Sequence, residues 1–199
     1  MKTQDFINRE LHYGAHNYHP LPVVLNRGEG VYLWDVEGKR YLDFLSGYSA
    51  LSQGHCHPKI VEALKKQADV LTLTSRAFYC DLLGEFMEKA TKFFGYDKLL
   101  PMNTGAEGVE TALKLARRWG YDVKGVPEGK AKIVVCADNF HGRTITIVSM
   151  STDPSSYGGF GPFTEGFVKI PYNDVSALEK IITDRKSTRL NSSHVKLTR

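Results

Sequence analysis

The sequence predicts an α/β fold, a mainly parallel sheet with helices on both faces. Three observations predict it. From Lys98 onward, short apolar runs alternate with amphipathic stretches in a strand, turn, helix rhythm. One of those runs, Ile133-Val134-Val135-Cys136, is apolar throughout, as a strand buried on both faces is. Two polar loops, Asn103 to Glu107 and Asn139 to Thr144, each follow an expected strand, at the carboxyl edge where open parallel sheets bind ligands.

The elements follow in order. Val31-Tyr32-Leu33-Trp34-Asp35 and Lys39-Arg40-Tyr41-Leu42-Asp43-Phe44 flank Val36-Glu37-Gly38 and read as a hairpin. Pro58 opens a helix with Ile60, Val61, Leu64 and Ala68 on one face. A second helix starts near Phe78, its stripe formed by Leu82, Leu83, Phe86, Met87, Ala90 and Phe94. Leu99-Leu100-Pro101-Met102 reads as a short strand. Ala106 to Trp119 reads as a helix with Val109, Ala112, Leu113 and Ala116 inward. Ile133-Val134-Val135-Cys136 is a strand, a helix starts near Arg143, and Val168-Lys169-Ile170 is a strand. Val175 to Ile182 is a helix capped by Asn173 or Asp174. Tyr157-Gly158-Gly159-Phe160-Gly161-Pro162 is a glycine-rich loop, too long for a simple turn.

Composition narrows the class. The chain has 199 residues, 42% hydrophobic and 24% charged, as globular domains do. No run approaches the roughly 20 apolar residues of a membrane span. The start, Met1-Lys2-Thr3-Gln4-Asp5-Phe6, has neither the apolar core of a secretory signal nor the Arg- and Ser-rich character of a transit peptide. A cytoplasmic location is the expectation, with the mitochondrial matrix left open. Cys56, Cys80 and Cys136 lie far apart without a CxxC and read as reduced thiols. The net charge of +4 rests on the end of the chain. Arg185, Lys186, Arg189, Lys196 and Arg199 occur there with no acid, and without them the net charge is −1. No nucleic-acid partner and no membrane partner is implied. Residues 184–199 have no amphipathic period and resemble the translation of a sequencing-library adapter. They are expected to be a tail foreign to the fold.

Three places could carry chemistry. In Asn103-Thr104-Gly105-Ala106-Glu107, Thr104 and Glu107 have capping-box spacing. Gly105 clears space where a ligand would approach, and the free N–H groups of a first helical turn suit a phosphate. The plain alternative is a helix cap and nothing more. In Asn139-Phe140-His141-Gly142-Arg143-Thr144, Phe140 offers a flat apolar face for an aromatic ring, and Arg143 a planar fork matching a carboxylate. Their plain alternatives are core packing and a structural ion pair. In Gly54-His55-Cys56-His57-Pro58 a zinc site would need about four ligands, and no second cluster supplies them. A satisfied histidine at a helix start is the reading there, and no metal is expected.

At these residues a resemblance becomes plain. Asn103-Thr104-Gly105-Ala106-Glu107 and Phe140-His141-Gly142-Arg143-Thr144 resemble the paired motifs of the class III pyridoxal-phosphate-dependent aminotransferases, the ornithine, acetylornithine and 4-aminobutyrate group. The Tyr32-Leu33-Trp34-Asp35 hairpin and the Gly54-His55-Cys56-His57-Pro58 segment are similar to that group too. Tyr13-Gly14-Ala15-His16-Asn17-Tyr18-His19-Pro20-Leu21-Pro22, Leu73-Thr74-Ser75-Arg76-Ala77-Phe78-Tyr79 and Ser151-Thr152-Asp153-Pro154 resemble its ornithine-acting branch. The likeness runs from about Leu11 to Ile182.

The resemblance implies a fold-type-I chain. Residues 1–50 would be an N-terminal segment with a hairpin, and 51–183 the first half of the cofactor-binding large domain. It implies pyridoxal 5'-phosphate as cofactor. Gly105 and Ala106 would give N–H groups to the phosphate, Phe140 would stack on the ring, and Arg143 would hold the substrate carboxylate. Tyr18 would contact the unreacting end of ornithine, and Tyr48 would line the substrate channel. The partners implied are small amino-acid and keto-acid substrates, with a homodimer for the complete enzyme. The family's Schiff-base lysine, and the aspartate that pairs with the pyridine nitrogen, match no residue here. The chain by itself is therefore expected to be an inactive N-terminal part, with no catalytic residue of its own. The rivals are the acetylornithine- or 4-aminobutyrate-acting branches, and a non-catalytic module of the same fold.

Overall fold

The computed structural model describes residues 1–183. The basic tail of residues 184–199 lies outside the described residues. The chain divides into two compact units, Met1–Glu85 and the part from Phe86 onward.

In the first unit, helix α1 (Thr3–Tyr13) precedes a three-stranded antiparallel sheet of β1 (Leu25–Glu29), β2 (Tyr32–Asp35) and β3 (Arg40–Leu42), in that order. The expected hairpin is β2 with β3, in the register Tyr32↔Leu42, Leu33↔Tyr41 and Trp34↔Arg40. Its turn is organised by Asp35. That carboxylate accepts the N–H groups of Glu37 (3.0 Å) and Lys39 (2.9 Å) and the Tyr41 hydroxyl (2.7 Å). The hydroxyl is the main reason the Asp35 carboxyl is held below its ordinary value. On the sheet's surface, the guanidinium of Arg27 lies 4.3 Å from the Trp34 ring centroid and that of Arg40 lies 4.7 Å from Tyr32.

After the hairpin comes a single turn, α2 (Ser46–Ser49), that winds left-handed. Ser46, Gly47, Tyr48 and Ser49 all have positive φ, from 49° to 69°. A left-handed turn disfavours each L-residue by roughly 1–2 kcal/mol, so outside contacts must impose it. α3 (Pro58–Ala68) starts at Pro58, whose missing N–H is harmless at a first helical position. Ile60 and Leu64 on its expected inward face are exposed among the described residues.

α4 (Asp81–Phe94) spans the division between the units. It starts at an acidic residue that suits a helix N-terminus, three residues later than the sequence suggested. Leu82, Phe86 and Phe94 of its stripe are exposed among the described residues.

In the second unit, the order is α5 (Gly105–Asp122), β4 (Ile133–Cys136), α6 (Ile145–Ser149), α7 (Pro154–Tyr157), β5 (Phe167–Ile170) and α8 (Val175–Thr183). β4 and β5 pair in parallel, Ile133↔Phe167 through Cys136↔Ile170. Ile133, Val135, Ile147 and Met150 form the core, with Ala106, Val109, Leu113, Ala116 and Phe167 packed on it. Ala112, expected inward, is exposed instead. Asp174 caps α8 by accepting the Ala177 N–H at 2.8 Å. The expected strand at residues 99–102 is not formed. Pro101 has no N–H for a ladder, and no described strand lies beside that run. The helix expected near Arg143 begins at Ile145, behind the N-cap Thr144. That leaves Arg143 on the loop.

Candidate functional site

The start of α5 is explained by counting its N–H groups. Four orphan donors are expected at any helix start. Thr104 is the N-cap, and its hydroxyl accepts the Glu107 N–H at 3.1 Å. The Glu107 carboxylate reaches back to the N–H groups of Asn103 (2.9 Å) and Thr104 (3.2 Å). The Gly108 N–H bonds the Thr104 carbonyl at 3.0 Å. Only the N–H groups of Gly105 and Ala106 are uncommitted among the described residues. A Cβ built at Gly105 would meet nothing within 4 Å, so the approach to those two donors is open. The capping box is real, and it is arranged to leave two adjacent donors at the positive end of an 18-residue helix.

The loop after β4 is held against this helix start. Asp138 enters it with φ +56° and gives its N–H to the Thr152 hydroxyl at 2.7 Å. The Asn139 side-chain amide donates to the carbonyls of Cys136 (2.6 Å) and Met150 (3.0 Å), tying the loop at both ends. Gly142 has φ +131°. A Cβ there would lie 3.0 Å from the Ala106 Cβ and 3.0 Å from the Ile147 Cδ1, so only glycine fits without displacement. The Thr144 hydroxyl donates a short hydrogen bond to the Glu110 carboxylate of α5.

Two side chains stand out from the clamped loop. Phe140 is 71% exposed, which removes core packing as its explanation. Arg143 is exposed and makes no ion pair or side-chain hydrogen bond among the described residues, which removes the structural ion pair. Open helix-start donors, a free aromatic face and an unpaired guanidinium within one unit fit a phosphorylated aromatic cofactor and a carboxylate substrate.

Tyr18 and Tyr48 belong to the first unit. Their hydroxyls lie 2.9 Å apart, and both rings are exposed. The Tyr48 phenol is pushed above its ordinary value mainly by the Tyr18 hydroxyl. The histidine at the helix start, His57, has a buried Nδ1 with no hydrogen-bond partner among the described residues, so it is not the satisfied group expected. The histidine of that segment with a side-chain partner is His55, whose Nε2 lies 2.7 Å from Asp43 Oδ2. No group of three or more potential metal ligands occurs among the described residues.

Sequence reasoning missed Glu110 and the contacts that hold Asn139 and Thr144. Glu110 sits on α5 between Val109 and Thr111, and nothing in its local sequence marks a partner 34 residues away.

Comparison with known proteins gives three findings. The Aminotransferase class-III family matches residues 13–196. A rat protein named "Ornithine aminotransferase, mitochondrial" is 66% identical over 182 residues, covering 92% of this chain and 42% of the rat protein. Among solved structures, a Toxoplasma gondii ornithine aminotransferase with partial occupancy of PLP at its active site superposes with a TM-score of 0.90. It is 50% identical, covering 92% of this chain and 43% of its own. An acetylornithine aminotransferase from Elizabethkingia anophelis gives 0.81 at 61% identity, over 94% and 45%. The chain thus spans less than half the length of the relatives it matches.

Proposed function

We propose, because this chain belongs to the class-III aminotransferase family, that its parent protein is an ornithine δ-aminotransferase. It would move the δ-amino group of ornithine to 2-oxoglutarate, giving glutamate semialdehyde and glutamate. The chain's described part has the fold of an N-terminal portion of a fold-type-I enzyme, and the family's cofactor is pyridoxal 5'-phosphate.

The observation that carries the reading is the pair of uncommitted N–H groups at Gly105 and Ala106 beside the loop that presents Phe140 and Arg143. The two amides would hold the cofactor phosphate, with the helix dipole behind them. Phe140 would cover one face of the pyridine ring and keep water off it. Arg143 would grip a substrate carboxylate with two parallel N–H donors and fix its orientation. Tyr18 and Tyr48 would meet the substrate's far end. When bound, the cofactor supplies the electron sink that lets a bond at the amine-bearing carbon break. The lysine that anchors the cofactor in this family matches no residue here, so the 199-residue chain alone is expected to transfer no amino group.

The rat relative named mitochondrial supports a matrix location, and a cytoplasmic one is the alternative. No helix among the described residues is long and apolar enough to cross a membrane. The partners proposed are small amino and keto acids and a second copy of the complete chain, with no nucleic acid.

The test is turnover by the complete protein, loaded with cofactor and given 2-oxoglutarate with ornithine or N-acetylornithine. Semialdehyde formed from ornithine, with little turnover of the acetylated compound, is expected. The reverse preference favours a second reading, an acetylornithine-acting enzyme, which the 61% identity to the Elizabethkingia structure supports. No amino transfer from either would overturn both.

A further inference from the structure

We infer that Asp43 and His55 are positioning residues for Tyr48: their half-buried pair fixes the left-handed turn that presents the Tyr48 hydroxyl. The inference rests on the proposed function only in the last step, where Tyr48 reaches substrate.

Tyr48 is 75% exposed, so packing does not hold it. It sits in a turn whose residues all have positive φ, three of them not glycine. Something must hold that conformation, and the contacts converge on one carboxylate. Asp43 Oδ1 accepts the N–H groups of Leu45 and Ser46, both at 2.9 Å, where the chain enters the turn. Its other oxygen, Oδ2, is taken by His55 Nε2 at 2.7 Å. A carboxylate only accepts, so Nε2 carries the hydrogen. The Ser46 amide first, and then His55, hold the Asp43 carboxyl below its ordinary value.

His55 is itself immobilised. Its backbone exchanges two hydrogen bonds with Gly30, at 3.0 and 2.8 Å. Its ring lies against Gly28, where a Cβ would come within 2.8 Å of it. Asp43 is tied as well, its N–H bonding the Val31 carbonyl at 2.9 Å. A continuous path therefore runs from the sheet through His55 and Asp43 into the turn, and ends at the Tyr48 and Tyr18 hydroxyls. The side chains of His55 and Asp43 are only 15% and 9% exposed, whereas Tyr18 and Tyr48 are exposed. A half-buried pair hydrogen-bonded to the entry of an exposed and strained turn is the arrangement a support requires.

The test uses the complete, cofactor-loaded enzyme carrying His55→Leu, His55→Gln, Asp43→Asn, Tyr48→Phe or the double change His55→Leu with Tyr48→Phe. His55→Leu should raise KM for ornithine about tenfold while KM for 2-oxoglutarate moves less than about twofold. His55→Gln keeps a donor for Asp43 and should recover most of the loss. In the Tyr48→Phe background, His55→Leu should add little, because both act through one hydroxyl. In crystals of His55→Leu, the Tyr18 and Tyr48 hydroxyls should stand beyond hydrogen-bond distance. If His55→Leu does not fold, Asp43→Asn is the milder probe and should show the same split in KM. Equal losses for both substrates, additive effects, or an unmoved Tyr48 in the crystals would overturn the inference. A wild-type enzyme that does not use ornithine would overturn the proposed function instead, and the position of Tyr48 in the variant crystals would still decide the inference.

Discussion

Gly142 touches Ala106 so closely that a single added carbon would sit 3.0 Å from the Ala106 Cβ. This contact joins the loop bearing Phe140 and Arg143 to the helix start bearing the two free amides. Gly142→Ala should force the two apart, since its φ of +131° also suits only glycine. Overpacking of this kind destabilises by about 1–3 kcal/mol. In the complete enzyme, cofactor affinity measured by fluorescence titration should fall about tenfold or more. An unchanged affinity would mean the contact does not set the site.

Arg143→Lys should lower kcat/KM for ornithine and 2-oxoglutarate by roughly ten- to a hundredfold and leave cofactor affinity near normal. Lysine keeps the charge and loses the bidentate fork, a charge-assisted bond worth about 1.5–3 kcal/mol. Phe140→Ala should do the reverse: weaker cofactor binding, with turnover recovering at saturating cofactor. Steady-state kinetics at two cofactor concentrations separate the outcomes. Lost cofactor affinity with normal saturated turnover in Arg143→Lys would make Arg143 structural.

Thr144→Val removes the only described hydrogen bond of the Glu110 carboxylate. Leaving a half-buried acceptor unmet costs about 1–3 kcal/mol. The melting temperature should fall by several degrees, whereas Thr144→Ser, which keeps the hydroxyl, should melt close to the parent. Equal melting of the two variants would show that the bond contributes nothing.

The hairpin turn should fail in acid. The Asp35 carboxyl is lowered from 3.8, chiefly by the Tyr41 hydroxyl. A depressed carboxyl gives stability that is complete above the unfolded value and is lost as pH falls through the folded one. Melting curves between neutral pH and about pH 2 should show Asp35→Asn less stable at neutrality, with a gap that narrows below the ordinary aspartate range. A gap that stays constant down to that pH would exclude Asp35 ionisation as the cause.

Incubation of the 199-residue chain with pyridoxal phosphate and borohydride should label no lysine stoichiometrically, since none matches the family's anchoring position. One lysine modified to completion, located by peptide mapping, would reverse that expectation.

Much of this was legible from local pattern. α5 and α8 are strongly periodic, β4 and β5 are short apolar runs, and the β2–β3 hairpin has apolar arms with glycine at the turn. β1 was not legible. Leu25–Glu29 contains Asn26, Arg27 and Gly28 and pairs only because β2 offers an edge, with a bulge between Leu25 and Arg27. α1 was overlooked because it buries no residue among those described, so its apolar stripe is weak. The 99–102 run reads as a strand by apolarity alone, and one proline outweighs that. At the site, the capping box, the exposed ring and the guanidinium followed from residue type. The ties of Asn139, Glu110 and Asp43 did not, because each joins groups that only the folded chain brings together.

The Asn139 tie bears on how a sample ages. Its side-chain NH2 spends both hydrogens on two carbonyl oxygens, of Cys136 and Met150. Slow hydrolysis of that amide in storage would leave a carboxylate of nearly identical shape and mass facing the same two oxygens. Attraction would become repulsion at both ends of the loop at once. Stored enzyme could then lose its cofactor while running as a single clean band by size. Isoelectric focusing is the check on a preparation, with a more acidic species as the warning and cofactor content as its companion.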